Sequence, residues 1–250
     1  VPFRNYGEGF EFAGTDESGG MKPTGARVPV NVPMPEPLFH NTSRLYPSFN
    51  MSIPDQYRAD VFLKDLEGWS SGAAPMPRFL FLLLPNDHGT QPRHDRGYPW
   101  LESYMADNDL ALGRIVEGLS RSPFWKEMAI FVTEDDAQGG VDHVDSHRTV
   151  LLAISPYARS KYVSRVNASF PGLLKTVFRL LRIPPLNLFD AAAADLSDCF
   201  TGKPDFAPYE KVSVAAEIFD PAKAKEPLDP EPSPRMDDPN VLREQHRDRR

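Results

Sequence analysis

The fold is decided by the stretch Ala129-Ile130-Phe131-Val132-Thr133-Glu134-Asp135-Asp136, which is followed closely by His143 and His147. Its first part is a short run of β-branched and large apolar residues, which is typical of a buried strand. Two adjacent carboxylates and then two imidazoles come directly after this run. Neighbouring carboxylates repel each other unless a cation lies between them, so the pattern predicts a strand that ends in a metal site. A solvated loop that caps a following turn is the alternative.

A second strand is predicted upstream. Residues Arg78 to Leu84 form an apolar run between two prolines and lead into Pro85-Asn86-Asp87-His88-Gly89. Between the two strands, apolar residues from Leu101 to Leu119 recur at spacings of three and four, which predicts an amphipathic helix. A strand, helix and strand joined in this way favour a right-handed parallel crossover. The polar residues after both strands should therefore emerge at one carboxyl edge of the sheet, where open α/β sheets bind ligands.

Composition divides the chain into three parts. Residues 1–52 are rich in proline and glycine, which predicts an irregular segment that wraps another body. Residues 53–202 alternate helix and strand signals, as in an α/β domain with a mainly parallel sheet sandwiched by helices. Residues 203–250 are charged and rich in proline, which predicts partial disorder. Two more helices are expected in the middle part, over 169–181 with an apolar face that packs in a core, and over 190–200.

Charge and hydropathy exclude several partners. A net charge of -7 and a pI near 5.4 argue against electrostatic binding of nucleic acid. The longest purely apolar run, Phe79 to Leu84, is far below the roughly 18 residues that a membrane span needs. A single cysteine, Cys199, permits no disulfide within the chain. We therefore expect no nucleic-acid binding, no transmembrane segment and no export signal within these residues.

The histidines near the acidic residues narrow the choice of metal. Four of the six histidines lie between residues 88 and 147, beside several aspartates. Oxygen ligands alone would suit magnesium, calcium or manganese, whereas added imidazoles favour zinc or manganese. Two histidines on a polar loop are also common without any metal, so solvated side chains are the alternative for His143 and His147.

Four segments carry a family resemblance when they are taken together: residues 79–88, 105–117, 129–138 and 142–148. They resemble the carboxyl-terminal half of a bacterial phosphoesterase, from the phospholipase C and acid phosphatase branch of the alkaline phosphatase superfamily. The resemblance spans roughly residues 45–200. It implies a doubly wound α/β sandwich that hydrolyses phosphate esters with one or two divalent cations and a serine or threonine nucleophile.

The resemblance also implies roles for individual residues. The acidic pair matches the paired metal ligands that follow a central strand, and the later histidines fall where relatives place a ligand or a phosphate contact. The implied metal ligands are Asp87, Asp135, Asp136 and His147. The implied catalytic contacts to phosphate or to the leaving oxygen are His88 and His143. The implied cofactor is a divalent metal ion (zinc, manganese, calcium or magnesium), the substrate is a phosphate ester, and the location is periplasmic or secreted.

One departure from the family separates two hypotheses. Relatives carry an acidic metal ligand and the nucleophile upstream of the segment that resembles residues 1–8, so the α/β fold is expected to be incomplete on its N-terminal side. The first hypothesis is the C-terminal part of a metal-dependent phosphoesterase whose nucleophile lies upstream. The alternative is a non-catalytic metal-binding or interaction module with a degenerate phosphoesterase fold. A cofactor-independent phosphomutase is a third option within the same superfamily.

Overall fold

The computed structural model describes residues 1–8, 37–43, 45–51, 53–134 and 148–224. The chain divides into two compact units: unit 1 combines Val1–Leu119 with Tyr209–Arg250, and unit 2 is Ser120–Pro208. Short strands and helices occur in both units, so the protein is mixed α/β with a small parallel sheet. The three parts inferred from composition have boundaries that differ from those of these two units. That division stays a prediction.

Within the described residues, unit 1 contains one parallel strand pair and most of the long helices. Its elements are β1 (Phe3–Tyr6), α1 (Leu38–Asn41), α2 (Asp55–Ser70), β2 (Phe79–Leu82) and α3 (Glu102–Arg121), which ends just beyond the unit boundary. β1 pairs with β2 in parallel, with Phe3 opposite Phe79. The predicted positions of β2 and α3 are confirmed to within a few residues, because proline and small polar residues mark their ends.

The first strand is held by the aromatic side chain of Tyr6. Its ring makes edge contacts with the rings of Tyr46 and Phe62, each at a centroid distance of 5.3 Å. Its hydroxyl donates to Asp65 Oδ2 at 2.7 Å. Burial and the hydrogen bond to Asp65 raise the pKa of Tyr6 well above its usual range, so the hydroxyl stays a donor. β1 is thereby fixed against α2 as well as paired with β2.

A second aromatic cluster is part of the core of unit 1. The rings of Tyr98 and Tyr104 stack at a centroid distance of 4.3 Å, and Phe219 lies 5.0 Å from Tyr98. Leu110 and Ala224 are buried in the same cluster. Residues after position 208 therefore return to complete a core that the first half of the chain begins.

The buried side of α3 differs from the predicted apolar stripe. Leu101 and Met105 are 54% and 55% exposed, whereas Tyr104 and Asp107 are fully buried. Leu119, near the end of the helix, is buried as the stripe predicted. Hydrogen bonds to the Asp107 carboxylate turn the first half of the helix toward a polar interior, so apolar periodicity alone misjudges which side faces inward.

The described part of unit 2 contains an antiparallel strand pair and two helices. Its elements are β3 (Ile130–Thr133), β4 (Leu151–Ile154), α4 (Phe170–Leu181) and α5 (Leu188–Ala192). β3 pairs with β4 in antiparallel register, with Ile130 opposite Ile154. The prediction of a parallel crossover from β2 to β3 is wrong for the described strands, because β2 pairs with β1 and β3 with β4 in separate sheets. No described helix has the length and apolarity needed to cross a membrane.

The prediction that the apolar face of α4 packs in a core is met only in part among the described residues, where Leu173, Val177, Phe178 and Leu181 are half-buried. Phe170 and Leu174 on that face are 47% and 45% exposed, and the buried positions of the helix are Gly172 and Thr176. A Cβ atom at Gly172 would clash with the carbonyl oxygen of Ala194. The chain that follows α5 therefore packs against the side of α4 that carries Gly172 and Thr176.

The single helix predicted over 190–200 is replaced by two shorter elements. Asn187 caps α5 with a capping box, in which its side chain and that of Asp190 bond reciprocally to the backbone. Ala193 is extended, with φ -61° and ψ 151°, and ends this helix. A 3-10 turn over Ser197–Cys199 follows. The capping box places the helix start earlier than composition indicated.

Candidate functional site

The structure describes two of the six predicted site residues. Asp87 and His88 are exposed and lie in a one-turn 3-10 helix, Asn86–His88, shortly after β2. The other four predicted site residues, Asp135, Asp136, His143 and His147, lie outside the described residues. The predicted set of metal ligands therefore stays a prediction. Only the part of the site around Asp87 can be described.

The turn after β2 is closed by backbone hydrogen bonds and a glycine. His88 N donates to Pro85 O at 3.2 Å, and Gly89 N donates to Asn86 O at 3.1 Å. Gly89 has φ +72°, a conformation that favours glycine, and a Cβ atom there would lie 2.8 Å from Leu101 Cδ1. The His88 ring is edge-on to Phe49 at 5.4 Å. The turn thus places the exposed side chains of Asp87 and His88 next to a buried neighbour, Asn86.

That buried neighbour, Asn86, is held by carboxylates from two different helices. Its backbone N–H donates to Asp55 Oδ2 at 3.0 Å, and its Nδ2 donates to Asp107 Oδ2 at 2.6 Å. Asn108 Nδ2 donates to Leu84 O at 2.7 Å and to Asp55 Oδ2 at 3.1 Å. The chain entering the turn is therefore bonded to α2 and to α3 at once.

Asp107 joins the turn to the beginning of α2. Its carboxylate accepts hydrogen bonds from Asp55 N at 2.9 Å and Gln56 N at 3.2 Å, which are among the first N–H groups of that helix. Helix N-termini leave these groups without partners inside the helix, and negative charge is favourable there. Gln56 Nε2 and the Tyr98 hydroxyl also donate to the carboxylate, at 2.9 Å and 2.7 Å. A residue of α3 thus caps α2, which begins after Pro54 without a side-chain cap of its own.

The charge of the Asp55 carboxylate is compensated by the fully buried guanidinium of Arg58. Arg58 Nη1 donates to Asp55 Oδ1 at 3.0 Å, and neither side chain is exposed to solvent. The remaining hydrogen bonds of the guanidinium go to carbonyl oxygens of the preceding loop, at residues 47, 48, 50 and 53. Its five N–H donors can all be used in this way. The guanidinium therefore orders the loop before α2 and compensates one buried carboxylate.

The buried network contains two carboxylates, those of Asp55 and Asp107, but only one guanidinium, that of Arg58. This excess of acidic groups affects the protonation of Asp55. Burial raises the pKa of Asp55 to about 7, with Arg58 opposing the shift and the charge of Asp107 adding to it. Burial and the neighbouring Asp107 charge also raise the pKa of Tyr98 well above its usual range. The Tyr98 hydroxyl is consequently a donor to Asp107 at any ordinary pH.

Sequence reasoning missed most of this network. It did not single out Asp55, Arg58, Tyr98 or Asp107. The available signal was Asp107, which lies three residues after Tyr104 and therefore on the same side of the helix. Acidic residues on helices are usually solvated, so this signal is weak without the structure.

The inner network fits a scaffold and not a cation site. The oxygens of Asp107 accept five hydrogen bonds from N–H and O–H donors, and these occupy the directions that a metal would need. No group of three His, Cys, Asp or Glu side chains within the described ranges could hold a metal ion. Asp87 is a carboxylate of the kind that binds divalent metals, but a metal centre would need further ligands from outside these ranges.

Neither a scan of the chain against models of known protein families nor a search of curated proteins finds a match.

Proposed function

We propose that this chain is the C-terminal part of a metal-dependent phosphoesterase with an alkaline-phosphatase-like α/β fold. The observation that carries the proposal is the turn after β2, where an exposed carboxylate and an exposed imidazole follow a parallel strand. Ligand sites of α/β proteins are commonly built at this position. The buried network under the turn gives both side chains a fixed backbone, which a binding site requires.

In this proposal Asp87 acts together with Asp135, Asp136 and His147 as a ligand of a divalent cation. The cation, when bound, would neutralise charge on the phosphoryl oxygens and lower the pKa of the attacking hydroxyl, which comes from upstream residues. His88 and His143 would donate hydrogen bonds to a phosphate oxygen or to the leaving oxygen. A periplasmic or secreted location belongs to the same proposal.

A second candidate function is an interaction module without catalysis. It is favoured by the exposed apolar residues around α5, where Leu188 and Phe189 are 83% and 79% exposed. Large apolar side chains grouped on a surface often mark a contact with another polypeptide. The two candidates differ in whether divalent metal binds at the turn after β2.

Metal binding can be tested by calorimetric titration of the purified chain with MnCl2 and ZnCl2, together with elemental analysis. We expect Asp87→Asn and Asp136→Asn each to weaken binding at least about tenfold. The matched control is Asp205→Asn, which makes the same change at an exposed carboxylate of unit 2. Equal affinity in all four proteins would remove both residues from the ligand set and favour the interaction module.

Turnover is tested separately, because the nucleophile is expected upstream. The coding sequence before Val1 should encode an acidic residue next to asparagine, followed by a serine or threonine. A protein that includes those residues should hydrolyse a generic aryl phosphate, and the Asp136→Asn variant should not. Transfer of phosphate to a second hydroxyl compound instead of water would identify the phosphomutase option.

A further inference from the structure

The turn that presents Asp87 and His88 is only one turn long. It is a single 3-10 turn whose two predicted site residues are exposed, and its internal hydrogen bonds are those that donate to Pro85 O and Asn86 O. Short turns of this kind have no intrinsic stability in water. Their geometry must therefore be set by bonds to the rest of the protein.

Asn86 is the residue of the turn through which such bonds pass. Its Nδ2 donates to Asp107 Oδ2 at 2.6 Å, the shortest hydrogen bond described for the turn, and its side chain is fully buried. Asp107 is itself fixed by donors from three other residues, Asp55, Gln56 and Tyr98. Hydrogen bonds to a buried ionised group are stronger than neutral ones. A displacement of Asp107 would therefore be transmitted to the backbone of the turn.

On the basis of the phosphoesterase function proposed above, we propose that Asp107 is a positioning residue for the turn that carries Asp87 and His88. It acts through Asn86 to hold Asp87 and His88 in place, and it touches neither substrate nor metal. Asp107 belongs to α3 and is fully buried, and its direct contact with the turn is the hydrogen bond from Asn86 Nδ2. Residues that orient metal ligands in this way typically change affinity by about 10–100-fold when they are replaced.

The decisive variant is Asp107→Asn, and its matched control is Asp109→Asn. Both changes remove one carboxylate from the same helix, but Asp109 is exposed. The position of His88 is read from its imidazole proton shift in the full chain, because the Phe49 ring lies edge-on to it at 5.4 Å. Phe49→Leu removes that ring and calibrates the shift expected when the contact is lost. His88→Gln assigns the signal.

We expect the His88 signal of folded Asp107→Asn to move at least halfway to its position in Phe49→Leu, while Asp109→Asn keeps the wild-type position. The Kd for MnCl2 should rise at least about tenfold in Asp107→Asn and stay within about twofold in Asp109→Asn. A wild-type His88 signal in folded Asp107→Asn overturns the positioning role.

A second variant covers the case in which Asp107→Asn does not fold. Asn86→Ala removes only the Nδ2 donor and keeps the backbone N–H bond to Asp55, and it should shift the His88 signal in a folded protein. Failure of both variants to fold overturns the proposal, because a positioning role requires a folded protein with a displaced turn. A displaced His88 in a protein whose wild type binds neither MnCl2 nor ZnCl2 supports the positioning role and refutes the metal site proposed above.

Discussion

Replacing Arg58 by methionine should destabilise unit 1 strongly, and the structure shows which contact dominates. Methionine retains much of the volume of arginine but removes five hydrogen bonds, four to loop carbonyls and one to Asp55. Water can reach part of the loop, but it cannot reach the Asp55 carboxylate, which is fully buried. Removing one partner of a buried ion pair costs about 3–5 kcal/mol, because the carboxylate left behind either stays charged without a partner or binds a proton. We therefore expect a loss of about 3–5 kcal/mol at pH 8, out of about 5–15 kcal/mol for a typical domain.

The assay is urea denaturation of the full chain at 25 °C and pH 8, with a double-mutant cycle that includes Asp55→Asn. The two substitutions should be coupled by at least about 1.5 kcal/mol, because the asparagine removes the charge that Arg58 compensates. The control is Lys211→Met, which breaks the exposed ion pair with Glu117 and should cost at most about 1 kcal/mol. A cost below about 1 kcal/mol for Arg58→Met, or no coupling with Asp55→Asn, would refute the reasoning.

Three further predictions can be checked on the same protein. Because burial raises the pKa of Asp55 from 3.8 to about 7, the folded state binds a proton in this window that the unfolded state has released. The free energy of unfolding should therefore fall between about pH 4 and pH 7, by at most about 4 kcal/mol, and Asp55→Asn should lack this component in urea titrations. An unchanged pH slope in that variant would contradict the shift. Gly97→Ala should lower the melting temperature, because Gly97 has φ +89° and a Cβ atom would clash with Asp220 O. Gly68→Ala should raise the melting temperature, because a Cβ atom at Gly68 on α2 would lie in open space. Phe189→Ser should change the unfolding free energy by less than about 0.5 kcal/mol in urea, and a loss above about 2 kcal/mol would show that this side chain is packed in solution.

Local signals predicted most helices and strands well. Pro54 marks the start of α2 and Pro123 follows the end of α3, and both limits are close to those in the structure. Ser169 caps α4 by accepting a hydrogen bond from Gly172 N. These signals act within a few residues, so one sequence is enough to read them.

Strand pairing and the buried network were beyond the reach of local patterns. β1 and β2 are separated by more than 70 residues, and their register depends on contacts such as the one between Tyr6 and Phe62. Asp55 and Asp107 are 52 residues apart, and each alone resembles an ordinary solvated acid. Their burial becomes evident only when both helices and the turn after β2 are placed together. Of the predicted site, the structure describes Asp87 and His88, in the turn after β2, and their chemistry stays a proposal.

The return of Phe219 and Ala224 to the aromatic cluster of unit 1 has a consequence for biosynthesis. Unit 2 is encoded between the two parts of unit 1, so roughly 100 residues must still be translated after Leu119 before Phe219 emerges. At a translation rate of about 5–20 residues per second, Tyr98 and Tyr104 lack the contact with Phe219 for about 5–20 seconds. During that interval the nascent chain exposes two stacked aromatic rings, which is the kind of surface that chaperones at the ribosome bind.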